Sequence, residues 1–255
     1  MSHQARKRFG QHFLVDEGVL QHIADVVRPQ SEDRLLEIGP GHGALTRYLY
    51  GQTASYVAVE LDRDLIAPLK AAFPGLSLVS ADILKVDLDS LLEPPGWRLV
   101  GNLPYNISSP LLIKLFDHLP RIRDMHFMFQ RELGARLGAE PGTKSWGRLG
   151  VLTQYFCEVE SLFDVPPEAF APPPKVHSQV VRLLPRRDRE AVDLEKLHQV
   201  LQRAFSARRK RIANGLKTLR LDWDRAAVDP ERRPDALTVG EFVRLANAVT
   251  GEVAD

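Results

Sequence analysis

The sequence predicts an α/β protein: a parallel, doubly wound, Rossmann-like sheet followed by a small α-helical C-terminal domain. Three observations carry this. Short apolar runs alternate with amphipathic stretches over the first two-thirds of the 255 residues, the pattern of strands joined by crossover helices. A glycine-rich or polar residue closes each of the first four runs, as at the carboxyl ends of strands in an open sheet. Beyond Pro185 the β-rich runs give way to helical spacing.

The candidate strands are RLLEI (34–38), SYVAVE (55–60), LSLVS (76–80), WRLVGN (97–102) and MHFMFQ (125–130). GALTRYLYG and RDLIAPLKAAF read as helices between them. FCEVESLFDV (156–165) and VHSQVVRLL (176–184) read as strands added at one edge. Between those two, five prolines in nine residues (166–174) exclude regular structure and predict a stiff, extended connection. DLEKLHQVLQRAFSARRKRIANGLKTL and TVGEFVRLANAVTG supply two or three helices. The expected domains are therefore 1–185 and 186–255.

Composition narrows the function classes. A hydrophobic content of 44% and a charged content of 26% are ordinary for a soluble globular chain. No apolar run approaches the ~20 residues of a membrane span, and the basic N-terminus lacks the apolar stretch of a signal peptide. Cys157 is the single cysteine, so neither an intramolecular disulfide nor a cysteine-held metal is expected. The expected compartment is the cytoplasm. Net charge is only +1, but it is unevenly placed. Arg6, Lys7 and Arg8 stand in an N-terminal arm without acids. Residues 13–102 carry 7 Lys/Arg against 13 Asp/Glu, and residues 186–220 carry 11 against 4. A single charge run is most often a solvated face; two basic ends around an acidic middle raise nucleic acid as a partner.

The strand ends form a ladder. The first is followed by Gly39, Gly41 and Gly43, the second ends at Glu60, the third is followed by Asp82, and the fourth ends at Asn102. Glycines let backbone N–H groups approach a ligand. An acid about 20 residues further on accepts ribose hydroxyls, and Asp82 stands where it would accept from an adenine amino group. This describes a nucleoside cofactor. GPGHGA also satisfies a loose NAD fingerprint. Two residues tilt the choice toward S-adenosyl-L-methionine: Glu37, just before the loop, opposes a pyrophosphate, and Pro40 removes an N–H donor that a diphosphate would use.

The segment Asn102-Leu103-Pro104-Tyr105 fits nitrogen methylation. The exocyclic nitrogen of adenine is a poor nucleophile, because its lone pair is delocalised into the ring. Acceptors on both N–H bonds, the Asn102 amide oxygen and the Leu103 carbonyl, draw it toward tetrahedral geometry. Pro104 fixes the turn, and the Tyr105 ring stacks on a base that has been unstacked to enter. No metal is needed.

Six segments then occur together and in order: RKRFGQHFL (6–14), LEIGPGHGALT (36–46), NLPYNISSPLL (102–112), FQRE (129–132), FAPPPKVHSQVVRL (170–183) and FSARRKRIANGL (205–216). In these the chain resembles the KsgA/RsmA branch of the ribosomal RNA adenine dimethyltransferases, over nearly its whole length. The resemblance implies a class I S-adenosylmethionine-dependent methyltransferase sheet. It implies a cofactor, leaving as S-adenosyl-L-homocysteine, lined by His12, Leu14, Gly39, Gly41, Glu60, Asp82 and Asn102. His12 stands where the family often has Asn. The implied substrate is a pair of adjacent adenosines in the 3′-terminal hairpin loop of 16S rRNA, within a pre-30S subunit late in its assembly. Each adenosine receives two methyl groups on N6. Phe170 would form the second side of a base sandwich with Tyr105, or else anchor the edge strands. Arg208, Arg209, Lys210 and Arg211 would project along a helix toward phosphates, with Arg6, Lys7 and Arg8 doing the same from the arm. A monomer is expected. Three rivals remain: an assembly factor with dispensable catalysis, a methyltransferase of large-subunit RNA such as the Erm resistance enzymes, and an NAD oxidoreductase that would leave residues 102–105 unexplained.

Overall fold

The computed structural model describes residues 12–252, which fall into two compact units. One is the chain through Gly134 together with Val159–Pro185; the other is Ala135–Glu158 together with the chain from Arg186 onward. The chain passes from the first unit to the second between Pro185 and Arg186. Residues 135–158, expected in the first domain, group instead with the second unit, and the reason is visible in its bonds. The buried Trp146 ring donates Nε1–H to the Leu237 carbonyl at 2.9 Å.

The first unit contains β1 (Phe13–Leu14), α1 (Glu17–Val27), β2 (Arg34–Ile38), α2 (Thr46–Leu49), β3 (Ser55–Glu60), α3 (Arg63–Ala72), β4 (Ser77–Ser80), α4 (Leu88–Leu91), β5 (Trp97–Asn102), α5 (Ser108–Phe116) and β6 (Ile122–Gln130). After α6 (Arg131–Leu137) and α7 (Arg148–Phe156) come β7 (Cys157–Val165), β8 (Phe170–Ala171) and β9 (Ser178–Pro185). Seven strands make one sheet in the order β4-β3-β2-β5-β6-β9-β7. The pairs β3–β4, β2–β3, β2–β5 and β5–β6 are parallel, and β6–β9 is antiparallel. The chain runs outward from β2 to β4 and then returns to place β5 on the other side of β2. A doubly wound sheet opens its ligand crevice at such a reversal.

One face of the sheet is covered by α1. Asp16 caps that helix, accepting the Val19 N–H at 2.9 Å. Its Leu20, Ile23, Ala24 and Val27 are buried in the same cluster as Val100, Met128 and Val180 of the strands; burying each of the larger three contributes about 1.5–3 kcal/mol relative to exposure. The far end of α1 is tied down by charge. The buried Arg98 guanidinium donates to Asp124 at 2.9 Å, to Asp33 at 2.8 Å and to the Val27 carbonyl at 2.7 Å.

The proline-rich connection departs from expectation. It contains a single 3-10 turn, Pro167–Ala169, and then β8, which pairs antiparallel with β1 through Leu14↔Phe170 and Phe13↔Ala171. Phe170 and Ala171 lie between the prolines and keep their own N–H groups, so a two-residue ladder survives there.

In the second unit α7 is joined by α8 (Leu194–Ser206), α9 (Ile212–Gly215), β10 (Leu219–Leu221), α10 (Trp223–Ala226), α11 (Val239–Asn247) and β11 (Val249–Glu252). The expected helices are present, but β10 and β11 add an antiparallel ribbon. Arg208–Arg211 do not continue a helix as expected; α8 ends at Ser206 and a turn follows. Cys157 is buried and free, and burial pushes its thiol up to about 12, as befits packing material rather than a nucleophile.

Candidate active site

The strand ends converge on one cavity of about 350 Å³. Its walls come from the β2 end (Glu37–Gly41), the β3 end (Val59–Asp62), the β4 end (Ala81–Ile83), the β5 end (Gly101–Ile107) and the β1 segment (His12–Val15). The sequence ladder of Gly39, Gly41, Glu60, Asp82 and Asn102 is thus gathered in space, with His12, Leu14, Leu103, Pro104 and Tyr105 beside it.

The glycine loop is built for backbone approach. Gly39 and Gly41 have φ of 71° and 60°, which side-chain-bearing residues rarely adopt. A Cβ at Gly39 would meet nothing within 4 Å; the space before it belongs to the cavity. The Gly41 N–H donates to Glu60 Oε2 at 3.1 Å, and the Asp62 N–H donates to Glu60 Oε1 at 2.7 Å. Each carboxylate oxygen is therefore aimed by one backbone bond. Burial raises the pKa of Glu60, and those N–H bonds work against the rise. Asp82 is held by the Leu84 N–H on its Oδ1 at 3.0 Å.

Glu37 sits deeper in the cavity wall. Its Oε2 accepts from the Thr46 hydroxyl at 2.6 Å and the Tyr56 hydroxyl at 2.7 Å. Complete burial raises its pKa to about 7, against the pull of those two hydroxyls. Across Val100 in the register stands His126, also buried and lining the cavity. Desolvation lowers its pKa to about 4, so the ring is neutral at ordinary pH.

Asn102 ends β5. Its Nδ2–H donates to the His12 carbonyl at 3.0 Å, which fixes the amide so that its oxygen is the end left to a ligand. The Leu103 N–H donates to the Met128 carbonyl at 3.4 Å. The Pro104 carbonyl accepts the Ile107 N–H at 3.1 Å and the Ser108 hydroxyl at 3.1 Å, starting α5. The Tyr105 ring stacks on the His12 ring, centroids 5.7 Å apart and planes at 26°. His12 in turn bonds the Pro172 carbonyl through Nδ1 at 2.8 Å.

Phe170 departs from the sandwich expectation. It is buried at 3% exposure in the hydrophobic cluster beside Leu14, Ala169 and Val180, and it does not line the cavity. Its β8 pairing with Leu14 turns it into the core, which was the other reading of that residue. The basic cluster divides. Arg208 spends its guanidinium inside its own unit, donating to the Thr143 and Lys144 carbonyls at 3.1 and 2.9 Å, and Arg211 pairs with Glu231. Arg209 and Lys210 are exposed. Arg6, Lys7 and Arg8 lie outside the described residues. Sequence reasoning missed His126, Tyr56, Thr46 and Lys114 near the site. A polar residue within an apolar strand was the available signal for His126; nothing local marked the other three.

Comparison with known proteins agrees with this geometry. A family model described as ribosomal RNA adenine dimethylase matches residues 2–250. Ribosomal RNA small subunit methyltransferase A of Pseudomonas aeruginosa is 51% identical over 96% of this chain and 94% of its own. The crystal structure of a dimethyladenosine transferase from Plasmodium falciparum superposes with a TM-score of 0.80 at 26% identity, covering 93% of this chain and 99% of that one. The structure of the 23S rRNA methyltransferase ErmE has a TM-score of 0.70, also at 26% identity, with the same coverage of both chains. A doubly wound sheet whose strand ends carry a glycine loop, two acids and Asn-Leu-Pro-Tyr around one cavity, matched along nearly its full length, places the chain in the ribosomal RNA adenine dimethylase family.

Proposed function

We infer that the protein is an S-adenosylmethionine-dependent enzyme that dimethylates N6 of two adjacent adenosines in the 3′-terminal hairpin loop of small-subunit (16S) ribosomal RNA. The observation that carries the chemistry is the opening of Asn102-Leu103-Pro104-Tyr105 into the same cavity as the glycine loop, Glu60 and Asp82. S-Adenosylmethionine, when bound, supplies a methyl group on a sulfonium that is already a strong electrophile.

The chain's own task is placement. Glu60, with both oxygens aimed, would take the ribose hydroxyls, and Asp82 the adenine amino group. Gly39 and Gly41, with His12 and Leu14 lining the same cavity, would hold the remainder. In the first transfer Asn102 Oδ1 and the Leu103 carbonyl would accept hydrogen bonds from the two N6–H groups of the target base and free its lone pair for the methyl carbon; in the second, a single N–H remains and one of the two acceptors serves it. The same preference for neutral acceptors leaves the product proton free to depart to water. Tyr105 offers a face to the base, a stacking contact of about 1–3 kcal/mol. Arg209 and Lys210, with Arg6, Lys7 and Arg8, would contact phosphates and contribute salt-dependent affinity without reading sequence.

The finer reading is that the protein acts as a cytoplasmic monomer on a pre-30S particle late in assembly. Labelled methyl transfer tests the choice of particle, and size-exclusion chromatography with light scattering tests the monomer. Purified protein and labelled S-adenosylmethionine are given under-methylated small subunits, large subunits and free 16S rRNA. Uptake confined to the small-subunit particle is expected. Uptake into large subunits would favour the 23S branch, and tight binding without uptake would leave an assembly factor.

A further inference from the structure

Lys114 lies in the last turn of α5, half-buried, and its ammonium makes three bonds, all to backbone carbonyls. It donates to Ile83 at 3.1 Å, to Leu84 at 3.0 Å and to Val86 at 2.5 Å. Those carbonyls belong to the turn that follows Asp82. Within that turn the amides point the other way. The Leu84 N–H bonds Asp82 Oδ1 at 3.0 Å, and the Lys85 and Val86 N–H groups bond the Asp82 carbonyl at 2.8 and 3.1 Å. The turn thus closes its amides onto Asp82 and presents its carbonyls to one cation. An ammonium has three donors, and each has an acceptor here.

The consequence is mechanical. α5 starts at Ser108, three residues after Tyr105 of the Asn102-Leu103-Pro104-Tyr105 segment, and its Leu111, Leu112, Leu115 and Phe116 are buried. The Asp82 turn has only one buried apolar anchor of its own, Ile83. We propose that Lys114 is a positioning residue that locks the Asp82 carboxylate at the angle needed to read an adenine amino group, and that it does so from the helix that carries the catalytic segment. The inference rests on the reading of Asp82 as acceptor for the cofactor's adenine.

The test compares two ligands and is read by calorimetry. S-Adenosylhomocysteine carries the adenine amino group; S-inosylhomocysteine carries a carbonyl there. The wild type should prefer the first by at least about tenfold, since an unmatched polar contact costs that much. Lys114→Met should shrink the preference to under about threefold, mainly by weakening S-adenosylhomocysteine, whereas general loosening of the fold would weaken both ligands equally and preserve the ratio. Lys114→Gln, which keeps two donors, should fall between the two and serves if the methionine variant does not fold. A wild-type preference that survives in either variant overturns the role of Lys114. A wild type with no preference overturns the reading of Asp82 instead, and the proposal with it.

Discussion

Replacing Asn102 by alanine removes two interactions that can be measured apart. The first is the Nδ2–H bond to the His12 carbonyl at 3.0 Å, which costs about 1 kcal/mol of stability and lowers the melting temperature by about 2–4 °C for a chain of this size. The second is the acceptor on the target N–H. A preorganised polar group aimed at a reacting centre is worth about 2.7–4 kcal/mol, or 10²–10³ in kcat. Methyl transfer under single-turnover conditions, with cofactor and subunit saturating, should therefore slow by about 10²–10³. Binding of S-adenosylhomocysteine should change only about fivefold, the share that passes through the His12 bond. Transfer within threefold of wild type would refute the acceptor role, and a loss of binding as large as the loss of rate would make Asn102 a cofactor ligand only.

Glu37 and His126 should give opposite pH signatures. The folded pKa of Glu37, about 7, lies above the ordinary glutamate value of 4.5, so the native state holds the extra proton and stability falls as pH rises from about 4.5 to 7. The folded pKa of His126, about 4, lies below the ordinary histidine value of 6.5, so the unfolded state holds the extra proton and stability rises with pH between about 4 and 6.5. Each contribution is about 3 kcal/mol, and they oppose one another in the wild type. Urea unfolding across pH 4–8 should show Glu37→Gln climbing more steeply than wild type up to pH 6.5, and His126→Gln falling toward pH 7; parallel curves would refute both. Phe170→Leu, a change within the core, should cost under about 1.5 kcal/mol and leave transfer within a few-fold, whereas a hundredfold loss of rate at unchanged stability would restore the base sandwich. Arg209→Ala with Lys210→Ala should lower the slope of log affinity against log salt by up to about 2; an unchanged slope removes that turn from the RNA contact.

What was legible depended on how local the cause was. β2, β3 and β5 match their apolar runs at both ends because central parallel strands are buried on both faces and read as continuous apolar segments. The ladder of Gly39, Glu60, Asp82 and Asn102 was legible because the sheet topology alone puts strand ends together. The turn at 207–211 was not, since Ala, Arg and Lys are good helix formers and the competing bonds come from far along the chain: Arg208 reaches Thr143 and Lys144 across more than 60 residues. The grouping of residues 135–158 with the second unit has the same origin, with Trp146 bonded to Leu237 91 residues away. Phe170 was ambiguous because an aromatic beside prolines suits either a core or a base platform, and only the β1–β8 pairing decides. Lys114 left no signal, because its partners are carbonyls that every residue has.

The most direct measurement is nucleoside mass spectrometry of under-methylated small subunits after incubation with the purified protein and S-adenosylmethionine. Two N6,N6-dimethyladenosines per 16S rRNA are expected, formed about 10²–10³ times more slowly with the Asn102→Ala variant. Monomethyladenosine alone, or an unmodified rRNA on a particle that the protein binds tightly, would contradict that expectation.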